Sequence, residues 1–268
     1  MALQNNLDIK HIKAKVYAIT SGKGGVGKTS LAVNLSIILS KAGMRVLLID
    51  ADMGLANVDL MTGVMAPHTI EEVINGKASI FDALVEGPEG LTILPASSGV
   101  GHILEVGMES EAQFLKELLK LEHAFDIIFI DTGAGISANV IDFVFMAKEV
   151  IVIMTPEPTA FADAYAMVKL VATQKPDMII SIVVNIVKTE GEGTHIFTKF
   201  NEIVERFLGR SVIFRGSIFS DAAVSQAVMR QIPLAVYAGS SPAVQSMKNI
   251  AKNVLGLKTA KKRTIFNR

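Results

Sequence analysis

The sequence contains no cysteine, and this absence excludes several kinds of site at once. Disulfides, thiolate zinc sites and iron–sulfur clusters all need cysteine sulfur, so this chain cannot build any of them on its own. A chain without disulfides is typical of a reducing compartment. We therefore predict a cytoplasmic location.

The chain also lacks long apolar runs. Its N-terminal segment, MALQNNLDIKHIKAK, is polar and has no apolar stretch of the about 7 to 15 residues that a secretory signal needs. No uncharged apolar run reaches the roughly 18 residues of a membrane span. We expect a soluble protein, with at most a peripheral attachment at the inner face of the cell membrane.

The sequence has no excess of positive or negative charge, because 26 Lys and Arg residues balance 26 Asp and Glu residues. Proteins that bind nucleic acid over a whole surface are strongly basic, so this balance argues against general DNA binding. A local basic patch remains an alternative. The C-terminal tail supplies its candidates, which are Lys258, Lys261, Lys262, Arg263 and Arg268.

Half of the residues are hydrophobic, and many of them form short runs rich in Val and Ile. The runs do not alternate with polar residues, which is typical of strands buried on both faces, and segments with helical spacing separate most of them. This order predicts an α/β fold of three layers, with a mostly parallel central sheet and helices on both faces. The predicted strands are 16–20, 46–50, 91–95, 126–131, 149–155 and 178–185. The predicted helices are 29–41, 109–121, 138–147, 163–173 and 194–207.

No repeat or Pro/Gly linker divides the chain, so we predict one domain over 15–257, between an extension at 1–14 and a basic tail at 258–268. The end of this domain, 242–257, has apolar residues on one face of a helix. Two interpretations stay open. The helix packs on the sheet, or it lies with the basic tail on an anionic membrane surface.

The segment SGKGGVGKTS, Ser21 to Ser30, matches the phosphate-loop pattern G-x-x-x-x-G-K-[ST] between a predicted strand and a predicted helix. Its glycines let backbone N–H groups approach an anion, and the helix N-terminus adds partial positive charge. Lys28 is expected to reach the β- and γ-phosphates of a bound ATP, and the Thr29 hydroxyl to ligate Mg²⁺. The loop residues predicted to bind nucleotide are Gly22, Lys23, Gly24, Gly25, Val26, Gly27, Lys28, Thr29 and Ser30.

Acidic residues end two of the predicted strands. Asp50 ends one strand and Asp52 lies just beyond it, at the edge where open α/β sheets hold ligands. Asp52 can orient an attacking water or help to hold the metal, and the alternative is that both residues cap a loop. Asp131 ends the other strand and is expected to hold Mg²⁺ together with the phosphate loop. Asn185 follows a further strand and offers a donor and an acceptor that suit an adenine edge, and the alternative is a turn or cap residue.

Together these motifs resemble the MinD/ParA family of P-loop ATPases, over about Lys15 to Leu257. The resemblance implies the three-layer P-loop NTPase fold. It also implies that the extra lysine of KGGVGKT, Lys23, crosses a dimer interface to the phosphates held by a partner subunit, so that ATP induces a homodimer. GLAN, 54–57, resembles the first switch of the family, and DTGAGIS, 131–137, resembles the second.

The resemblance also implies roles for single residues. Asp52 matches the water-orienting catalytic aspartate. Asn185 and the segment from 218–221 through 231–233 match the adenine-side strand and loop of the family, in which Asp221 and Pro233 stand out. The expected catalytic residues are thus Lys23, Lys28 and Asp52. The expected metal-side residues are Thr29, Asp52 and Asp131.

Within the family, DADMGLANVDLMTG, DTGAGIS and TPEPTAFADAYA are most similar to the flagellar-number regulators FlhG, FleN and YlxH. This similarity implies an ATP-bound dimer that associates with the membrane, with an FlhF-type GTPase and flagellar switch proteins as partners. The N-terminal segment has no Asp-Gln-Ala motif of the kind that stimulates FlhF in many of these regulators, so stimulation of FlhF is not implied.

The leading hypothesis is therefore a Mg²⁺-dependent ATPase switch that regulates flagellar number or placement. A MinD-like regulator of the division site and a ParA-like partition ATPase that binds DNA without sequence preference are alternatives. A P-loop small-molecule kinase or ligase is a further one, although the sequence offers no residues that we can assign to a substrate pocket.

Overall fold

The computed structural model describes residues 14–52, 57–96, 116–121 and 123–256. These residues form an eight-stranded sheet in the order β3-β4-β2-β5-β1-β6-β7-β8. All described pairings are parallel except that of β3 with β4. The strands are β1 Lys15–Ser21, β2 Val46–Ala51, β3 Val85–Glu86, β4 Thr92–Leu94, β5 Ile127–Ala134, β6 Glu149–Met154, β7 Ile179–Val187 and β8 Ile213–Phe219.

Helices cover both faces of this sheet, which confirms the predicted fold class. They are α1 Lys28–Lys41, α2 Val58–Thr62, α3 Ile70–Ile74, α4 Ala138–Phe145, α5 Pro158–Gln174, α6 Glu190–Leu208, α7 Ala222–Met229, α8 Leu234–Tyr237 and α9 Pro242–Val254. Residues 116–121 are also helical, and the rest of the helix predicted at 109–121 lies outside the described residues.

The core lies in two layers, one on each side of the sheet, and this explains the continuous apolar runs. Along β1, Val16 and Ala18 belong to one apolar cluster, whereas Tyr17 and Ile19 belong to the other. Because successive side chains of a strand point to opposite faces, both sets must be apolar when both faces are covered.

Two helices begin earlier than the sequence pattern predicted. The helix predicted from 163 begins at Pro158, a residue that suits the first helical turn because it needs no N–H donor there. The helix predicted from 194 begins at Glu190, and the Thr189 side chain caps it by accepting the N–H of Glu192. Gly191 and Gly193 disfavour a helix, so the sequence pattern did not indicate that this second helix begins at Glu190 or that Thr189 caps it.

The sequence analysis did not predict β3 or β8 as strands. β3 is a two-residue strand, and β8 reads IFRGSIF, in which Arg215 and Gly216 interrupt the apolar run. The Arg215 side chain is 15% exposed because it lies against Glu149 of β6, to which it makes two hydrogen bonds of 2.8 and 2.7 Å. A buried partner therefore permits a charged residue in a covered strand.

The C-terminal helix α9 packs on β8 and α1, as the first of the two interpretations expected. Its apolar face is buried in this structure, and contact of this segment and its basic tail with a membrane surface stays a prediction. The helix ends at Val254, three residues before its predicted end, and the tail 258–268 lies outside the described residues. The buried apolar residues of the helix are Ala243, Val244, Met247, Ile250, Ala251 and Val254.

The predicted extension at 1–14 likewise lies outside the described residues, except for Ala14. None of the helices in the described ranges is long and apolar enough to cross a membrane.

Candidate functional site

The phosphate loop joins the end of β1 to the start of α1, as predicted. Gly25 and Gly27 have φ angles of +77° and +93°, in the left-handed region that glycine adopts without strain. Gly22 packs so closely on α5 that an added Cβ would lie 2.2 Å from the Asp163 carbonyl oxygen. No acidic side chain lies in the first turn of α1, so its N-terminus is suited to an anion.

Lys28 points from the start of α1 toward two carboxylates on neighbouring strands. Asp52 directly follows β2, whereas Asp131 lies within β5, which continues to Ala134 and so runs past the predicted strand end. Its Nζ lies 3.8 Å from Oδ2 of Asp52 and 3.9 Å from Oδ1 of Asp131. Asp131 is fully buried, and neither of its oxygens accepts a well-formed hydrogen bond from the described residues. Burial raises the pKa of Asp131 to about 6, against the lowering effects of Lys28 and the Thr29 hydroxyl. A buried carboxylate with vacant lone pairs beside a hydroxyl is a fitting partner for a divalent cation.

Asp50 and Asp52 have different roles, although they are two residues apart. The buried Asp50 carboxylate accepts the N–H of Asp52 at 3.0 Å and that of Val58 at 3.3 Å, so it closes the base of the loop. Burial and the neighbouring Asp131 raise the pKa of Asp50 to about 8. Asp50 therefore matches the loop-cap interpretation, whereas Asp52 reaches the cleft. Residues 53–56, most of the predicted first switch, lie outside the described residues.

The segment predicted as the second switch lies beside the phosphate loop. The N–H of Gly135 donates to the Ser21 carbonyl at 2.9 Å, and an added Cβ at Gly133 would lie 3.6 Å from Oδ1 of Asp52. Asp131, Asp52 and the loop are thus held together by backbone contacts as well as by charge.

The extra lysine, Lys23, contacts its own chain in this structure. Its Nζ lies 2.8 Å from Oε2 of Glu157 and 3.3 Å from Oγ1 of Thr159, at the start of α5. The hydrogen bond and the charge of Glu157 raise the pKa of Lys23. The Lys23 side chain is 42% exposed, and exposed ion pairs are weak. Another anion can therefore replace Glu157 as the partner of Lys23.

A cleft of about 780 Å³ lies over the phosphate loop, within the usual size range of ligand sites. Loop residues and Asp52 line one part of it. Apolar side chains of α2 and α7 line another part, namely Leu60, Met61, Val224 and Val228.

The three residues predicted on the adenine side do not line this cleft. Asn185 lies under the phosphate loop, where its Nδ2 donates to the Val26 carbonyl at 2.8 Å and its Oδ1 accepts the N–H of Ile186 at 2.9 Å. Asp221 caps α7 and also accepts the first N–H of α9 from Ala243. Pro233 is buried at the start of α8.

Comparisons with known proteins agree with the phosphate loop and the sheet. Residues 14–182 match the AAA domain family AAA_31. The antiactivator FleN of Pseudomonas aeruginosa is 35% identical over 240 residues, which cover 90% of this chain and 86% of FleN. The chain belongs to the MinD/ParA family of P-loop ATPases. Another relative in this family, the flagellum site-determining protein YlxH of Helicobacter pylori, is 34% identical over 76% of this chain and 71% of its own length.

Solved structures of MinD/ParA proteins share the fold. The cell division ATPase MinD of Pyrococcus furiosus aligns with a TM-score of 0.76 at 24% identity, over 91% of this chain and all of that one. MinD in the MinC:MinD complex of Aquifex aeolicus aligns with a TM-score of 0.75 at 27% identity, over 93% of this chain and 99% of that one.

The sequence analysis missed several residues that shape the site of this MinD/ParA protein. Asn34 is fully buried in α1, where its Nδ2 donates to the Ser30 carbonyl and its Oδ1 accepts the N–H of Ala235, so it ties α1 to α8. Its polarity inside an apolar helix was the available signal. Val224 and Val228, spaced by four in α7, give a helical stripe beside Asp221 that could have indicated the apolar wall.

Proposed function

We propose that this MinD/ParA protein is a Mg²⁺-dependent ATPase switch whose ATP-bound form is a homodimer. The observation that carries the proposal is the buried pair of unsatisfied Asp131 oxygens beside Lys28, at the mouth of a phosphate loop. Buried oxygens without hydrogen bonds destabilise a packed core, whereas a bound complex of Mg²⁺ and nucleotide would supply their missing partners.

The residues of the site are suited to hold a triphosphate and an attacking water. In this proposal the loop N–H groups and Lys28 neutralise phosphate charge. The two carboxylates at 3.8 and 3.9 Å from the Lys28 ammonium group support this role, because they hold it at the mouth of the loop. Asp52 lies at the cleft, where its carboxylate can accept a proton of the attacking water and align it. Asp50 positions Asp52 through the Asp52 N–H.

Thr29 and Asp131 are the residues that would hold Mg²⁺, directly or through water. No group of three or more His, Asp or Glu side chains in the described parts of the chain could bind a metal alone, so phosphate oxygens must complete the site. When bound, Mg²⁺ supplies charge neutralisation at the β- and γ-phosphates.

Lys23 is the residue we assign to the dimer. In this chain it is paired with Glu157, so contact with the nucleotide of a second subunit requires exchange of that carboxylate for a phosphate. The dimer then depends on ATP because the triphosphate supplies the competing negative charge.

Size-exclusion chromatography with ATP and Mg²⁺ tests the proposal. The wild type is expected to elute as a dimer with ATP and as a monomer with ADP. Asp52→Ala should remain a dimer because hydrolysis stops, and Lys23→Ala should remain a monomer. Lys41→Ala is the matched control, since it breaks a surface ion pair with Glu89 at the far end of α1. If Lys23→Ala formed as much dimer as the control, the role of Lys23 would be wrong.

For the biological output, we infer regulation of flagellar number or placement. The relative YlxH, a flagellum site-determining protein, supports this because its match covers 76% of this chain, whereas the match to the MinD of Thermotoga maritima, at 40% identity, covers 58% of it. A pull-down from the native cell with the Asp52→Ala dimer is expected to recover an FlhF-type GTPase or flagellar switch proteins. Recovery of division or partition proteins instead would contradict this output.

A further inference from the structure

A groove runs over the outer surface of the protein between α1 and α9. Its volume is about 460 Å³, within the usual range of ligand sites. The groove lies on the face of the sheet opposite to the one that α6 covers, and among the described residues it shares no lining residue with the nucleotide cleft. It is therefore a second candidate site, which the ATPase proposal does not explain.

The floor and walls of this α1–α9 groove are apolar. Val244, Ala251 and Leu255 line it from the side of α9, and Ile38 and Ala42 line it from the side of α1. Ile38 and Leu255 are half-buried and Ala42 is exposed, so part of the apolar surface is open to solvent. Residues at these helical spacings lie on one side of each helix. Two such walls leave room for the apolar face of a third helix, as in other helix-in-groove sites.

Lysines form the rim of the groove. Lys41, Lys248 and Lys252 line it, whereas no Asp or Glu residue is among its described lining residues. The Nζ of Lys248 donates to the Gly239 carbonyl, a neutral group, so this contact leaves the positive charge uncompensated. Lys41 pairs with Glu89 at 2.9 Å, but the lysine is 59% exposed and such pairs are weak. The groove is thus a local positive site in a chain whose charges balance overall.

The shape and charge of the groove limit what can occupy it. The tail at 258–268 is basic, so the rim lysines would repel it. Val244 and Ala251 at the floor are buried whereas Lys252 at the rim is exposed, so a flat bilayer surface would contact the lysines without reaching the floor. The described lining has no aromatic or arginine side chain on which a nucleic-acid base could stack. An acidic amphipathic helix meets none of these objections.

We propose that the α1–α9 groove binds an acidic amphipathic helix of a partner protein. The apolar face of that helix lies between Ile38 and Leu255, and carboxylates beside this face pair with the rim lysines. The stripe from Val244 to Leu255 extends about 16 Å along α9, which corresponds to about three turns of a docked helix. The basic tail follows Leu255 closely in sequence, and its positive charge favours the approach of an acidic partner. This interface does not depend on the ATPase proposal.

Three labelled peptides of about 16 residues, long enough for the groove, test the proposal by fluorescence anisotropy with the full-length protein. The acidic probe is a helical peptide with leucines at i, i+4, i+7 and i+11 and glutamates beside them. The basic probe has lysines in place of the glutamates, and the third probe keeps the glutamates but scatters the leucines around the helix. The wild type should bind the acidic probe at least about tenfold more tightly than either of the others, because only this probe matches both rim and floor.

Charge reversal at the rim tests whether the peptide binds in the groove. The triple variant Lys41→Glu, Lys248→Glu and Lys252→Glu should lose at least about tenfold in affinity for the acidic probe and gain affinity for the basic one. Ala42→Trp, which fills the groove from an exposed position without a change of charge, should also weaken binding of the acidic probe. Circular dichroism checks that both variants fold.

A second triple variant is the matched control, because it changes the net charge equally at exposed lysines outside the groove. It should bind the acidic probe as the wild type does. Its substitutions are Lys169→Glu, Lys188→Glu and Lys199→Glu.

Three results would overturn the proposal. In the first, the wild type binds the three probes equally. In the second, the rim variant and the control variant lose equal affinity, or the rim variant loses none. In the third, the wild type does not prefer the acidic probe but binds phosphatidylglycerol vesicles that the rim variant does not bind, and the groove is then a membrane contact. Each result leaves the ATPase proposal intact.

Discussion

Single polar residues in this protein act mainly by satisfying backbone groups at the ends of elements. Asp221 is an example, since its two oxygens accept one N–H from the start of α7 and one from the start of α9. Burial alone would raise the pKa of Asp221, but these hydrogen bonds outweigh it and the pKa is lowered. The ionised form of Asp221 is therefore more favourable in the folded state than in the unfolded state, so its ionisation stabilises the fold.

We expect Asp221→Ala to lower the free energy of unfolding by about 1–2 kcal/mol at pH 7, as for other lost helix caps. Because the folded pKa is depressed, the stability from ionised Asp221 is present above its unfolded pKa, near 3.9, and is lost as the pH falls through the folded value. Urea unfolding of the wild type and the variant at pH 7 measures the lost capping energy, and the same comparison at pH 3 measures how much of it depends on ionised Asp221. Asp221→Asn, which keeps an acceptor without charge, should keep part of the capping stability at pH 7 and lose the whole of the pH-dependent share. An Ala variant whose deficit grew at pH 3 would contradict this.

Asn185 gives a second prediction at the residue scale. Loss of its bond to the Val26 carbonyl should loosen the phosphate loop, so Asn185→Ala should weaken nucleotide binding by about 1 kcal/mol, roughly fivefold. The loss should be equal for ATP and purine riboside triphosphate, which lacks the amino group, since the contact is with the loop. A loss confined to ATP would instead support the adenine contact expected from the sequence.

At the scale of elements, the sequence predicted six strands because covered parallel strands need apolar residues on both faces. It could not predict β8, because the Arg215 charge is tolerated only through Glu149, a residue 66 positions away. The start of α6 was hidden for a related reason. Gly193 looks unfavourable in a helix, yet an added Cβ would lie 1.8 Å from the Ser217 hydroxyl of β8. Long-range contacts of this kind leave no local pattern.

The same limit applies to the site. The phosphate loop, Asp52 and Asp131 could be placed from motifs, because chain order alone brings strand ends to one edge of a parallel sheet. The apolar residues that line the cleft come from α2 and α7, which are far apart in the chain. Only tertiary packing brings Leu60 and Val228 together.

Helix α9 gives the prediction at this scale. Ile250 is 1% exposed and contacts β8 at Gly216, so Ile250→Ala should cost about 2–5 kcal/mol of unfolding free energy. Leu255, just beyond the helix and only half-buried, is the control, and its Ala variant should cost clearly less. Urea titration followed by circular dichroism compares the two. Equal costs would mean that the helix does not pack as described.

At the scale of the whole molecule, a buried polar network joins four strands to the end of α9. Glu149 of β6 accepts from Arg215 of β8 and from the Ser181 hydroxyl of β7, and Arg215 also donates to the Asn253 carbonyl at 2.7 Å. Tyr17 of β1 donates to the Val254 carbonyl at 3.2 Å. The network therefore fixes the last helix relative to the whole sheet.

Arg215→Met should destabilise the protein by about 3–5 kcal/mol, because it leaves the buried Glu149 carboxylate without a counter-charge. The double variant Arg215→Met with Glu149→Gln should recover much of that loss. Denaturation midpoints of the wild type, both single variants and the double variant give the coupling energy. Additive losses would show that the two charges do not depend on each other.

The Tyr17 contact with Val254 also has a practical consequence. It brings the start of β1 next to the end of α9, so Ala14 and Gly256 emerge at the edge of the sheet opposite the phosphate loop. A fluorescent protein fused directly before Ala14 or directly after Gly256 would therefore lie away from the cleft. For the same reason a circular permutant in which a short linker joins Gly256 to Ala14, with new ends opened in a surface turn, should keep the fold.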